Sequence, residues 1–322
     1  MASSQHGTPR SSWPRSSEHE RIARLSARFA TSSPEVRLGI GDDAAWLAPD
    51  LVLSVDAQVE GVHFLPRFAP YDVLAERAAI AALSDLAAMG ARPLAMLSSL
   101  ILPRTLDDAA LDQLHEGLAR AADRYGAPVV GGNLAAGSEL SLSTTVLGRA
   151  DAPLLRTGAR PGDGVYVTGH VGARALGLRA LLAVRRDAAL EAFVDAWLHP
   201  TARITEGLAL RGVASTCIDI SDGLLADLGH VLDASQVGAD VELAALPFAP
   251  GFEAACALLD LDALALALDG GEAYELVFTA TTTPPIAATR IGTIRAEPGV
   301  VLHGPDGSVR PHVASGFDHF RT

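Results

Sequence analysis

From Glu18 onward the larger apolar residues fall at Ile22, Leu25 and Phe29, a helical spacing that predicts a short amphipathic helix over 18–29. After the loop GIGDD (39–43), Leu51, Leu53 and Val55 alternate with Val52, Ser54 and Asp56, which predicts a strand with Ser54 and Asp56 on one face. The alanine-rich stretch 73–89 predicts a helix stopped by Gly90. On that helix Asp85 shares a face with Ala81, Ala82, Ala88 and Met89, so its charge stands on an apolar surface. Further strands are predicted at 93–102, at 128–132, where Gly-Gly ends the run, and at 139–149, with a helix over 106–125.

Around 149–164 the chain turns rich in Gly, Pro and Arg, which marks a domain boundary. The expected organisation is a flexible tail (1–17), an N-terminal domain (18–150) and a C-terminal α/β domain (151–322). The second half opens with the strand GVYVTG (164–169) and a Gly/Ala-rich helix near Gly172. Helices over 188–198 and 204–213 are separated by His199-Pro200, because the residue before proline avoids the helical conformation. A strand at 215–220 leads to Asp222-Gly223, which opens a helix to about residue 234. Strands at 240–246, 274–279 and 290–294 and a hairpin over 300–309, turning at Pro305-Asp306-Gly307, complete the pattern. Helices and strands alternate in both halves, so the fold class is α/β, or α+β layers.

At 322 residues the chain suffices for two domains, and 49% hydrophobic with 20% charged residues is the profile of a globular protein. No apolar run approaches the roughly 20 residues that span a bilayer, and the first twenty residues contain no apolar core of a secretory signal. No membrane partner is expected. Cys217 and Cys256 form no zinc spacing and fit a reducing, cytoplasmic location. All 25 basic residues are arginine, so mechanisms that need an amine, such as a P-loop, a kinase strand lysine or a Schiff base, are excluded. A net charge of −13 argues against a nucleic-acid partner. It also requires that an anionic substrate be met by cations.

Asp43, Asp56, Asp85, Asp219 and Asp222 carry the candidate chemistry, each sitting at a turn or in an apolar stretch close to Gly or Ser. Hard oxygen donors, one or two carboxylates per ion with phosphates completing the shell, suit Mg²⁺, so the pattern points to Mg-nucleotide chemistry. Taken singly, Asp42, Asp43 and Asp219 also read as turn formers or caps, and Asp222 as the cap of the helix that follows it. Asp85 favours a ligand even alone, because a carboxylate on an apolar face must be paired, protonated or metal-bound.

The blocks LGIGDDAA, SVDAQVEGVHF, ALSDLAAMGARP, VVGGN, LLRTGARPGDGVYVTG, DISDGLLADLGH, GGEAYEL and GFDHF resemble, in order and spacing, the motifs of the thiamine-monophosphate kinase family, within the aminoimidazole ribonucleotide synthetase superfamily. The resemblance covers nearly everything after the tail. It implies a two-domain fold whose N-terminal domains pair in a homodimer through a shared β-barrel, with ATP as co-substrate and thiamine monophosphate as acceptor. Metal binding is implied for Asp43, Ser54, Asp56, Asp85, Asn133, Asp219 and Asp222, with Asp43 and Asp222 central to catalysis. Gly132, Asn133, Arg156 and Ser221 are implied on the nucleotide side, and His63, Glu272 and Phe317 on the thiamine-phosphate side. Asp42 and Asp227 are left as structural.

Three positions depart from the family pattern. Asn133 replaces an acidic metal ligand by a neutral carbonyl, Ala273 removes a carboxylate from the loop after Glu272, and Val55 stands where threonine is common. They leave open another ATP-dependent member of the superfamily with a different acceptor, or a nucleotide-binding relic without turnover. All readings require the acidic residues to meet in one crevice between the two halves.

Overall fold

The protein is described for residues 18–29, 32–185 and 187–312 by a computed structural model. The 1–17 segment and Phe317 lie outside the described residues. In the first half the elements run α1 (Glu18–Arg28), β1 (Val36–Leu38), β2 (Ala45–Leu47), β3 (Leu51–Val59), α2 (Tyr71–Ala88), β4 (Arg92–Pro103), α3 (Asp108–Tyr125), β5 (Val129–Gly137) and β6 (Ser141–Arg149). Their strands form one six-stranded sheet ordered β1-β2-β3-β6-β4-β5. The second half comprises β7 (Gly164–Val167), α4 (Ala173–Leu182), α5 (Ala188–Leu198), α6 (Ile204–Leu210), β8 (Ala214–Asp219), α7 (Leu224–Ser235), β9 (Gly238–Glu242), α8 (Phe252–Ala257), α9 (Ala263–Asp269), β10 (Leu276–Ala280), β11 (Thr289–Arg295), β12 (Gly299–His303) and β13 (Val309–His312). These strands form a seven-stranded sheet ordered β13-β12-β9-β11-β7-β10-β8, in which only β12 and β9 pair in parallel.

The mixed α/β class agrees with the sequence reading, but no closed barrel exists among the described residues. The first sheet is open, with β1 and β5 at its edges. Helices α2 and α3 cover one face, where Val52, Gln58, Met96, Leu100, Leu142 and Val146 are buried. The other face leaves Leu53, Val55, Leu97 and Ile101 exposed.

Local chemistry explains most boundaries. Asp107 caps α3 by accepting the Ala110 N–H, and Gly126 ends it in the left-handed conformation. Its buried residues, Leu114, Gly117, Leu118, Ala121 and Ala122, recur at helical spacing along one stripe. Helix α2 is different: burial runs round its whole circumference from Leu74 to Ala88. A helix apolar on every side belongs inside a core, and α2 lies between the first sheet and the α5, α6 and β8 elements of the second half.

Several expected bounds shift. Strand β5 does not stop at Gly132 but continues to Gly137, because β4 supplies partners as far as Pro103. The 240–246 strand is instead β9 at 238–242, and Leu243–Ala245 coils into a 3₁₀ turn ahead of Pro247. The 274–279 strand begins only at Leu276, since Glu272 and Tyr274 adopt positive φ of 59° and 47°. Helix α6 ends at Leu210 instead of 213, where Arg211 leaves the helical region and Gly212 turns to positive φ. The helix expected to open at Asp222-Gly223 starts one residue later, with Gly223 at φ 133°. Short elements without strong periodicity, β1, β2, α8 and α9, were not foreseen.

Gly207 on α6 fixes the approach of the two halves, because a Cβ there would stand 2.0 Å from the Ala87 carbonyl of α2. G207A is expected to destabilise the fold by about 1–3 kcal/mol through overpacking, read as a lowered melting temperature. An unchanged melt would show that α2 can shift freely against α6.

Candidate functional site

The acidic residues arrive from five separate elements. Asp43 lies in the turn between β1 and β2, Asp56 in mid β3, Asp85 in the last turn of α2, Asp219 at the end of β8, and Asp222 in the loop before α7. Neighbouring residues of α2 tie the two halves together here. Ser84 donates to Asp219 Oδ2 at 2.6 Å, while Asp85 Oδ2 accepts from Ser54 at 2.5 Å. Ser54 also lies 3.2 Å from the Asp43 carbonyl. Arg156, from the linker between the sheets, bonds Asp43 Oδ1 through Nη2 at 2.6 Å.

Electrostatics reports the same convergence. Burial, with Asp219 and Asp42 nearby, raises the Asp43 carboxyl to about 7 against the pull of Arg156. Burial raises Asp219 to about 6, helped by Asp222 and Asp56 and opposed by Ser84 and Arg156. Asp85 is pushed well above the usual carboxylate range by burial, then by Asp219, Asp43 and Asp56. For Arg156, desolvation works against the charge, but Asp43 and Asp42 outweigh it and hold the guanidinium protonated. One arginine thus faces several carboxyl groups, which hold protons because no second cation balances them. Asp43 Oδ2 is buried without a hydrogen-bond partner. That orphaned oxygen and the all-oxygen donor set fit a hard divalent cation. Among the described residues, no three His, Cys, Asp or Glu side chains are gathered closely enough to hold an ion by themselves. An ion here would share its shell with ligand oxygens and water.

Two further carboxylates build the loops. Asp227 Oδ2 accepts the backbone N–H groups of Ser221, Asp222 and Gly223 at 3.0, 3.0 and 3.1 Å. This fixes the loop that presents Ser221 and Asp222 and explains why Asp222 need not cap α7 with its side chain. Asp42 likewise receives the N–H of Asp43 and of Arg156, each at 3.0 Å. Both residues do the structural work expected of them.

The other candidates lie around this centre at different distances. Sheet register aligns Asp56 with Thr144, Ser98 and Gly132 across β3, β6, β4 and β5. Three strand spacings separate Gly132 from Asp56, roughly 14 Å. Asn133 falls in the next row, with Ala57, Ser143 and Ser99, so it faces the opposite side of the sheet from Asp56. Within one chain the fold therefore does not bring Asn133 to the carboxylates. His63 accepts the Val59 N–H on Nδ1 at 3.0 Å, in the loop after β3. Glu272 is joined to the Asp222 loop by its N–H, 2.7 Å from the Ser221 carbonyl. Its carboxylate lies 2.6 Å from Arg77 Nη2 and accepts the Trp197 indole N–H at 2.8 Å. The sequence reading missed Arg77, although a lone arginine in an alanine-rich buried helix carries the same signal that singled out Asp85.

Residues 41–150 match the family "AIR synthase related protein, N-terminal domain". The thiamine-monophosphate kinase of Escherichia coli strain K12 is 38% identical over 330 residues, covering 95% of this chain and 98% of that protein. A solved structure of AaThiL complexed with AMPPCP and TMP superposes with a TM-score of 0.86 at 31% identity, covering 94% of this chain and 97% of that one. The crystal structure of thiamine-monophosphate kinase from Stenotrophomonas maltophilia K279a gives a TM-score of 0.74 at 34% identity, covering 90% and 95%. With this identity and coverage, the chain belongs to the thiamine-monophosphate kinase family.

Proposed function

We propose that the protein transfers the γ-phosphoryl group of ATP to the phosphate of thiamine monophosphate, giving thiamine diphosphate and ADP. The observation that carries this reading is the convergence of buried carboxyl groups where the two halves meet: Asp43, Asp85 and Asp219 are all raised by burial and by neighbouring aspartates, so each resists ionising until a cation arrives. Such a cluster is poorly stable alone and becomes favourable when cations and phosphate oxygens complete it. The relative complexed with AMPPCP, an ATP analogue, and TMP supports the same pair of ligands.

Asp43, Asp56, Asp85, Asp219 and Asp222, with Ser54, would hold Mg²⁺. Bound there, Mg²⁺ supplies the positive charge that lets two anionic substrates approach in an acidic protein. Arg156, held by Asp42 and Asp43, would pair with a nucleotide phosphate, and Ser221, in the loop that presents Asp222, would border the same ligand. Phosphoryl transfer is catalysed chiefly by positioning and charge stabilisation. The acceptor is a phosphate already ionised near neutral pH, so no strong general base is required. His63 and Glu272 form the acceptor side.

The exposed face with Leu53, Val55, Leu97 and Ile101, continued on the open β5 edge by Val129, Val130 and Leu134, supports a homodimer built on the first sheet. The roughly 14 Å between Gly132 and Asp56 further favours a nucleotide site to which the Gly132-Asn133 segment of one copy and the carboxylates of the other both contribute. In this reading residues 18–150 form the nucleotide-binding and dimerisation domain and 151–322 the second domain. Among the described residues no helix is long and apolar enough to cross a membrane, and free, buried Cys217 and Cys256 fit a cytoplasmic enzyme.

Mixing the protein with ATP, Mg²⁺ and thiamine monophosphate is expected to release ADP and form thiamine diphosphate, with little ATP consumed when the acceptor is omitted. Binding of ATP without acceptor-dependent turnover would refute the kinase reading. D222A is expected to lower kcat by roughly a hundredfold or more, the scale of losing one charge-stabilising group, while the melting temperature stays near that of the parent.

A third expectation concerns pH. Asp43 and Asp219 keep protons in the folded chain up to about pH 7 and about pH 6, whereas an unfolded aspartate loses them near pH 4. The folded state thus binds more protons in this window, so their contribution is full below about pH 4 and is lost as pH rises through 6 to 7. Without ligands the melting temperature should fall between about pH 5 and about pH 8 from this cause, and Mg²⁺ with nucleotide should restore it at the upper end. A ligand-free protein that gains stability over that range would contradict the assignment.

A further inference from the structure

The acceptor-side carboxylate of Glu272 is gripped from two directions. Arg77, on α2 of the first half, brings Nη2 to 2.6 Å from Oε1 as an ion pair without hydrogen-bond alignment, while the Trp197 indole N–H, from α5 of the second half, donates to Oε2 at 2.8 Å. The two gripping side chains hold each other. Arg77 Nη1 donates to the Trp197 carbonyl at 2.8 Å, and its guanidinium lies 4.0 Å from the centroid of the Trp197 ring. Phe68 meets that ring edge-on at 5.6 Å, and Phe68 belongs to the loop that carries His63. Trp197 therefore bonds Glu272 and packs against the loop from which His63 comes.

The backbone is fixed as tightly. Glu272 has φ 59°, a conformation unusual for a non-glycine residue that persists only when its surroundings enforce it. Its N–H bonds Ser221, and Tyr274 N–H bonds Ile220 at 2.8 Å, so the loop is locked to the segment that bears Asp219 and Asp222. Exposure separates the roles within the trio: Arg77 is 2% and Trp197 0% exposed, while the Glu272 side chain keeps 20%. Arg77 cannot meet a substrate phosphate. Only Glu272 reaches outward, and with its charge balanced by Arg77 it presents fixed carboxylate lone pairs more than net charge. A group with N–H donors, such as the amino group of the thiamine pyrimidine, matches that surface.

We infer that Arg77 and Trp197 are positioning residues for the phosphate acceptor, holding Glu272 at the point and angle where it recognises an N–H donor of the thiamine moiety. The inference rests on the reading of Glu272 as acceptor-side. Its physical content is that the acceptor site spans both halves, with its rigidity supplied by a buried cation stacked on an indole.

Trp197→Phe tests this with least disturbance, because it deletes the N–H and keeps an aromatic ring against Arg77 and Phe68. It is expected to raise KM for thiamine monophosphate roughly three- to tenfold, the scale of one hydrogen bond to a charged group, with kcat and KM for ATP unchanged. In an E272A background the same substitution should have no effect on acceptor KM, since both would remove one interaction. R77K should retain more acceptor affinity than R77M, because it keeps the counter-charge and loses only the fork. Equal shifts in both KM values, no shift in either, or independent effects of W197F and E272A would overturn the inference while leaving the kinase reading intact. Parent protein that shows no acceptor-dependent turnover would overturn both.

Discussion

One buried helix, α2, makes the two halves of this protein a single machine. It is packed on every side, so it has no freedom to present its polar groups elsewhere. Its side chains leave at fixed angles, so the consecutive residues Ser84 and Asp85 address opposite halves: Ser84 bonds Asp219 on β8, and Asp85 bonds Ser54 on β3. Two turns earlier Arg77 reaches Trp197 and Glu272. Gly207 permits this docking, since any larger residue would strike the Ala87 carbonyl.

The docking comes at an electrostatic cost that itself points to function. Bringing Asp43, Asp85 and Asp219 together out of water raises their carboxyls, and Arg156 neutralises only part of the charge. A protein selected for stability alone would fill this space with apolar groups. The surrounding loops are nonetheless built to keep the carboxylates in place, with Asp227 collecting three backbone N–H groups beneath Asp222 and Asp42 collecting two beside Asp43. Preorganisation of this kind stabilises a charged ligand because the reorganisation energy is met in folding.

How far this was legible in the sequence depended on the range of the physics involved. Long elements followed from periodicity: α3 shows its stripe, and β3 shows its alternation. Strand β5 was cut short at Gly132, because the preference of glycine for turns is local, while the partner strand that extends it is not. Strand β10 begins only at Leu276, after Glu272 and Tyr274 have taken positive φ, and nothing in their side chains announces this. At the site, Asp85 stood out as a charge on an apolar face. Arg77 stands on the same apolar helix, but sequence alone does not separate a buried arginine from one that snorkels to water, as it does for a short carboxylate.

The sequence by itself determined the fold class, the oxygen-rich character of the site, the absence of any amine to do its work, and the family resemblance that its ordered motifs carry. Those are properties of residue type and near-neighbour spacing. Only the tertiary structure decided which groups meet: Ser84 with Asp219 across 135 positions, Arg77 with Trp197 across 120, and Asn133 on the face of the sheet away from Asp56. Such pairings are fixed by how α2 packs and by strand register, which depend on the shape of the whole core and leave no trace in local periodicity.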